Sequence, residues 1–104
     1  MIVVSIDHIP GHDFEVLGMV QGAMVQTVHM GKDIFNGLKT LVGGELTSYT
    51  EMMNSSRATA ISRMISNANQ IGADAIINVR YASSQVMQGA AEVLAYGTAV
   101  KFIN

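Results

Sequence analysis

Residues 45–71 read ELTSYTEMMNSSRATAISRMISNANQI, and this stretch decides the fold. Leu46, Tyr49, Met53, Ala60, Met64, Ala68 and Ile71 fall on one stripe at 100° per residue, and Ile61 and Ile65 widen it. The spacing predicts a helix of about 27 residues, roughly 40 Å at 1.5 Å per residue. Ser48 and Glu51 have capping-box spacing, so the start is able to slip by a turn. Gly72 ends the helix. Ser48, Ser55, Thr59, Ser62, Ser66 and Asn69 lie on the other side, which is polar but carries little charge.

Strands flank this helix. Asp74 to Val86 carries Ile76, Ile77, Val79 and Tyr81, and Met87-Gln88-Gly89-Ala90 fits a hairpin turn. Ala91 to Ile103 alternates Val93 and Ala95 against Leu94 and Tyr96. Upstream, Phe14 to Val28 reads as a long strand with apolar residues on both faces, which implies cover on both sides. Gly18 and Gly22 within it mark a bend or a close backbone approach. Ile2 to Ile6 reads as a short strand, ended by the turn signal Ile9-Pro10-Gly11. Asp33 has the character of an N-cap. Ile34, Phe35, Leu38, Leu41 and Val42 follow at helical spacing up to Gly43-Gly44. The expectation is a single α/β (α+β) domain over 1–104. It has a three-stranded sheet, a short and a long helix, and a right-handed helical crossover between the first long strand and the final hairpin.

Composition limits the function classes. Of 104 residues, 13% are charged and 49% hydrophobic, where about a quarter charged is usual. No apolar run is long enough to span a bilayer, and the N-terminus lacks a signal-peptide pattern, so no membrane role and a cytoplasmic location are expected. The formal charge of −2 offers no basic stripe for nucleic acid, and the lack of Trp leaves no base-stacking platform. There is no Cys, which removes disulfides and thiolate chemistry.

One helical layer covers one face of a three-stranded sheet. Each large apolar side chain left wet on the other face forgoes about 1.5–3 kcal/mol. A whole domain has only about 5–15 kcal/mol of net stability. Subunit contact is therefore expected, the alternative being an N-terminal arm folded over the sheet.

The ordered set Ile9-Pro10-Gly11, Gly18-x-Val20-x-Gly22, Asp33, Gly43-Gly44-Glu45, Tyr49, Arg57-x-x-Ala60-x-x-Arg63-Met64, Gly72-Ala73-Asp74-Ala75-Ile76 and Tyr96-Gly97-Thr98-Ala99-Val100 resembles the YbjQ-like family over nearly the whole chain. A departure is Ala23, where many relatives carry a polar residue, and it weakens a ligand role there. The resemblance implies a β-α-β-β, dodecin-like subunit in a closed homo-oligomeric ring, commonly a pentamer. The family has no settled activity and is sometimes labelled heavy-metal-binding.

Candidate sites are few. His8 and His12, with Asp7 and Asp13, are able to gather in a loop, and His29 adds a third imidazole. An ordinary polar turn explains the same residues, and Pro10-Gly11 breaks any helix between the two histidines. Most of the eight Met fill core or interface positions. Arg57 falls on the apolar stripe between Met53 and Ala60 and needs a partner, with Asp33, Glu45 and Glu92 as the available carboxylates. It is either a structural ion pair or an anion-binding group. Gly43-Gly44 suits a cap between two helices, and Gly97-Thr98 a packing glycine. No activated nucleophile is visible. The leading expectation is a non-enzymatic binding or scaffold module with an unidentified small ligand or ion at subunit interfaces. The competing one is a small enzyme with an interfacial site around Arg57, Asp33 and Tyr49.

Overall fold

The computed structural model describes residues 1–27, 41–42 and 45–104, and the side chains of 1–27 and 50–104. The elements are β1 (Ile2–Val3), β2 (Phe14–Thr27), β3 (Leu41–Val42), β4 (Glu45–Leu46), α1 (Thr47–Gln70), β5 (Ala75–Met87) and β6 (Ala90–Phe102). The main sheet has four strands, in the order β1-β5-β6-β2. The expected three strands are all present. The fourth arises because β1 pairs in parallel with β5, Ile2 opposite Ala75 and Val3 opposite Ile76.

Two boundaries differ from the sequence expectation. Residues 33–40, which carry most of the expected short helix, lie outside the described residues. Leu41 and Val42, expected at its end, form instead a strand antiparallel to Glu45 and Leu46. The long helix accordingly starts at Thr47 rather than Glu45. Its end follows the sequence: the Gly72 N–H donates to Asn69 O and the Ala73 N–H to Ala68 O, both at 3.1 Å. This is a Schellman closure, and it needs the positive φ of +77° that Gly72 adopts at no steric cost.

The helix docks through small residues. Ala60, Met64 and Ala68 are fully buried against Val20, Ile76, Val79, Val93, Ala95 and Ala99. The approach is closest at Gly22, where a methyl group would overlap the carbonyl oxygen of Ala60 and the amide nitrogen of Met64. The expected close backbone approach is thus helix on strand. Ile71, expected on the buried stripe, is exposed because the chain turns at Gly72.

A smaller cluster of Ile9, Ala75, Ile77 and Val100 sits on the opposite sheet face, with Val4, Phe14 and Phe102 packed against it. The N-terminal arm therefore covers one end of the face that the helix leaves open. It is held by backbone bonds from Val4 N–H to Ile76 O, Asn78 N–H to Ile6 O and Val79 N–H to Val4 O, at 2.9–3.0 Å. Asn78 takes a left-handed φ of 53°, tolerated by Asn, in the bulge that separates Ile77 from Arg80. The molecule measures 53 × 28 × 16 Å with a Cα radius of gyration of 16.9 Å, against about 13 Å for a compact domain of this length.

Candidate functional site

Residues directly opposite in antiparallel strands project from the same face. Register therefore arranges the outer face, away from α1, into rows. Met19, Thr98 and Ile77 form one row, followed by Gln21, Tyr96 and Arg80, then by Ala23, Leu94 and Ala82. Val25, Glu92 and Ser84 form the next. Beyond the part covered by the N-terminal arm this face is mixed: Met19 is 75% exposed and Val25 50%, beside a row that carries a carboxamide, a phenol and a guanidinium. The Arg80 Nη1 donates to Ser5 O at 2.8 Å and to Val79 O at 3.0 Å. The first bond ties the guanidinium to the N-terminal arm and the second to its own strand. With Tyr96 and Gln21, the row supplies donors suited to an anionic or carbonyl group.

Arg57 does not occupy the centre of the buried stripe. That position belongs to Ser56, which is 1% exposed and whose hydroxyl donates to Met52 O at 2.9 Å, with Gln26 Oε1 3.4 Å away. A serine is able to be buried there because it bonds back to its own helix. Arg57, one residue on, is half-buried and donates from Nη2 to Asn54 Oδ1. Among the described residues the ion pairs are His8–Asp7 and Lys101–Asp74, so Glu92 is not the expected partner. Asp33 lies outside the described residues. Tyr49 is in the first turn of α1, and its side chain, like that of Glu45, is outside the described set. Gly97 is a packing glycine: a methyl there would lie 2.8 Å from Ile76 Cγ2 and 2.9 Å from Ile77 O.

The row Gln21–Tyr96–Arg80 was not legible in the sequence. The alternation that puts Tyr96 opposite Val93 and Ala95 was visible, but the bulge that sets Arg80 on the same face was not.

Comparison with known proteins agrees with this fold. A family model described as "Putative heavy-metal-binding" matches residues 1–103. The chain belongs to the YbjQ-like family. It is 58% identical over 103 residues to a UPF0145 protein of Alkaliphilus metalliredigens, covering 99% of this chain and 100% of that one. A UPF0145 protein of Methanosarcina acetivorans is 51% identical over 105 residues, covering 100% and 99%. The fold is similar to a crystal structure of a protein of unknown function of the DUF74 family from Pediococcus pentosaceus. That match has a TM-score of 0.72 at 15% identity, covering 98% of this chain and 97% of that one.

In this YbjQ-like chain the described donors do not fit a heavy-metal site. His8 Nδ1 lies 3.0 Å from Asp7 Oδ1, both exposed at the surface. That hydrogen bond is the main cause that holds the Asp7 carboxyl below its ordinary value of 3.8. His12 is engaged elsewhere, stacked on Phe102 with ring centroids 4.0 Å apart. Asp13 contributes its backbone N–H to Asn104 Oδ1 at 3.0 Å. Among the described residues no three His, Asp or Glu side chains converge, and His29 lies outside them. Among the same residues no helix is long and apolar enough to cross a membrane.

Proposed function

We propose that the chain is one subunit of a closed, dodecin-like homo-oligomeric ring of five copies. The ring acts as a non-enzymatic binding or scaffold module in the cytoplasm and holds a small ligand between subunits. The observation that carries this reading is the outer sheet face, where Gln21, Tyr96 and Arg80 line up among exposed apolar side chains such as Met19 and Val25. Sister chains shield the apolar part. The polar row then lies in a partly dried cleft, where its hydrogen bonds to an anionic or carbonyl ligand are stronger than in open water.

Surface area supports the assembly. A monomer of 11.1 kDa exposes about 5,700 Å² by the usual scaling. This chain exposes 6408 Å². The excess, about 700 Å², is surface that a compact monomer of this mass does not carry. Low charge, 13% of residues, keeps copies from repelling one another. The number five is the one the family resemblance implies.

Native mass spectrometry of the purified protein tests the reading. The expected spectrum shows five chains with extra retained mass, lost in the combined Arg80→Ala and Tyr96→Phe variant while the ring persists. A single 11.1 kDa chain, or unchanged retained mass in that variant, contradicts it.

A further inference from the structure

Arg80 is held differently from the other described arginines. Arg57 and Arg63 each make one bond, to Asn54 Oδ1 and Ala23 O. The Arg80 Nη1 donates to two backbone carbonyls, Ser5 O in the N-terminal arm and Val79 O in β5. The guanidinium is thus fixed from two sides, while Nε and Nη2 have no partner among the described residues. Their N–H groups lie along one edge of the planar group and form a fork that matches the two oxygens of a carboxylate. No described carboxylate of this chain fills the fork, since the ion pairs are His8–Asp7 and Lys101–Asp74.

The surroundings narrow what the fork can take. Tyr96 and then Gln21 follow Arg80 in the row, each about 4.8 Å further on at the backbone, one strand spacing. The Tyr96 hydroxyl and the Gln21 carboxamide add donors along the same line. Across the four rows of the outer face Arg80 is the one cation, Glu92 in the last row is an anion, and the chain has a formal charge of −2. One guanidinium balances one negative charge. A dianion such as phosphate would keep a second charge uncompensated in a field that is already negative. The next row, Ala23, Leu94 and Ala82, has no polar side chain, and Met19 lies on the other side. Leu94 is half-buried and Ala82 exposed, so apolar surface begins where the donors end.

We infer that Arg80 binds the carboxylate of a small organic monoacid through its Nε–Nη2 fork, and that the apolar body of the acid lies along the Ala23–Leu94–Ala82 row. The inference rests on the ligand-binding part of the proposed function and names the class of ligand, without drawing on the ring. The two carbonyls on Nη1 hold the guanidinium in place before the acid arrives, so little side-chain freedom is lost on binding. Tyr96 donates to one oxygen of the carboxylate. The head is therefore selected by charge and fork geometry, and the body by the apolar surface it covers.

An NMR titration of the isotope-labelled full chain tests this. Sodium hexanoate is expected to move the Arg80 Nε–H resonance together with the backbone N–H signals of Tyr96 and Leu94. It is expected to do so at lower concentration than acetate, which lacks the body, or inorganic phosphate, which carries the wrong charge. Arg80→Lys keeps the charge but removes the fork, and is expected to weaken hexanoate binding at least about tenfold. Tyr96→Phe leaves the bond to Ser5 in place and serves if circular dichroism shows that Arg80→Lys does not fold. Its expected loss is at least about threefold. An Arg80 signal that hexanoate does not move, or an affinity unchanged in either folded variant, overturns the site. Acetate binding as tightly as hexanoate, or phosphate more tightly, overturns the ligand class. If five chains with retained mass are seen in the native spectrum, each of these results leaves the proposed function standing. A single chain that binds hexanoate through Arg80 overturns the ring and leaves this site standing.

Discussion

Arg63 reaches from the helix to the Ala23 carbonyl, 2.7 Å away, and covers the backbone that β2 would otherwise offer to a neighbour. Hydrogen bonds from charged donors are worth about 1.5–3 kcal/mol when buried, and less at an exposed site such as this. Arg63→Ala is therefore expected to lower stability by about 1 kcal/mol in urea unfolding of the intact protein. It is also expected to open the β2 edge to strand pairing, seen as higher-order species at raised concentration. An unchanged midpoint and an unchanged size distribution would show that the bond covers nothing of consequence.

Gly22 is a position where α1 leaves no room. The atoms that an added methyl would meet are helix backbone, of Ala60, Arg63 and Met64, and not the tips of flexible side chains. Gly22→Ala is expected to cost about 1–3 kcal/mol, the range for overpacking. Thermal unfolding should register this as a lower melting temperature. A variant that melts with the wild type would mean that helix and strand stand further apart than described.

Arg57 and Ser56 exchange the roles that helical spacing suggested. Arg57 bonds Asn54 one turn before it on the same helix, and Ser56 is the buried polar group. Arg57→Ala is expected to stay within about 0.5 kcal/mol of wild type and to leave the assembly intact, as surface substitutions do. Loss of assembly in Arg57→Ala, read by light scattering, would restore Arg57 to the subunit interface.

The stripe Ala60-Met64-Ala68 and the hairpin at Gln88-Gly89 were readable, because apolar period and turn chemistry are local. The short strand at Ile2 was readable too, but its place in the main sheet was not, since its parallel pairing with Ala75 and Ile76 joins residues more than seventy positions apart. Nor was the site row readable. It depends on two irregularities, at Val16–Gly18 and Ile77–Arg80, and each shifts the register of everything beyond it. Arg57 was misplaced because a one-residue error on a helix is a 100° rotation, and a buried serine looks like a surface residue in composition.

The Asp7 carboxyl gives a prediction in pH. His8 donates a hydrogen bond to it, so its titration in the folded chain falls below 3.8. The support this pair gives is present above the ordinary aspartate range and is lost as pH falls through the lowered value. A carboxyl carbon resonance followed by NMR is expected to move at lower pH than in a free aspartate, and His8→Ala should return it part of the way, since a backbone N–H also lowers it. The same titration in His8→Ala and wild type would contradict the pairing.

Sedimentation equilibrium at micromolar concentration bears most directly on the central claim, that copies of the chain shield the outer face of the sheet. The expected mass is a single species of five times 11.1 kDa, unchanged on dilution through that range. A particle of one chain, stable with Met19 and Val25 in water, would contradict it.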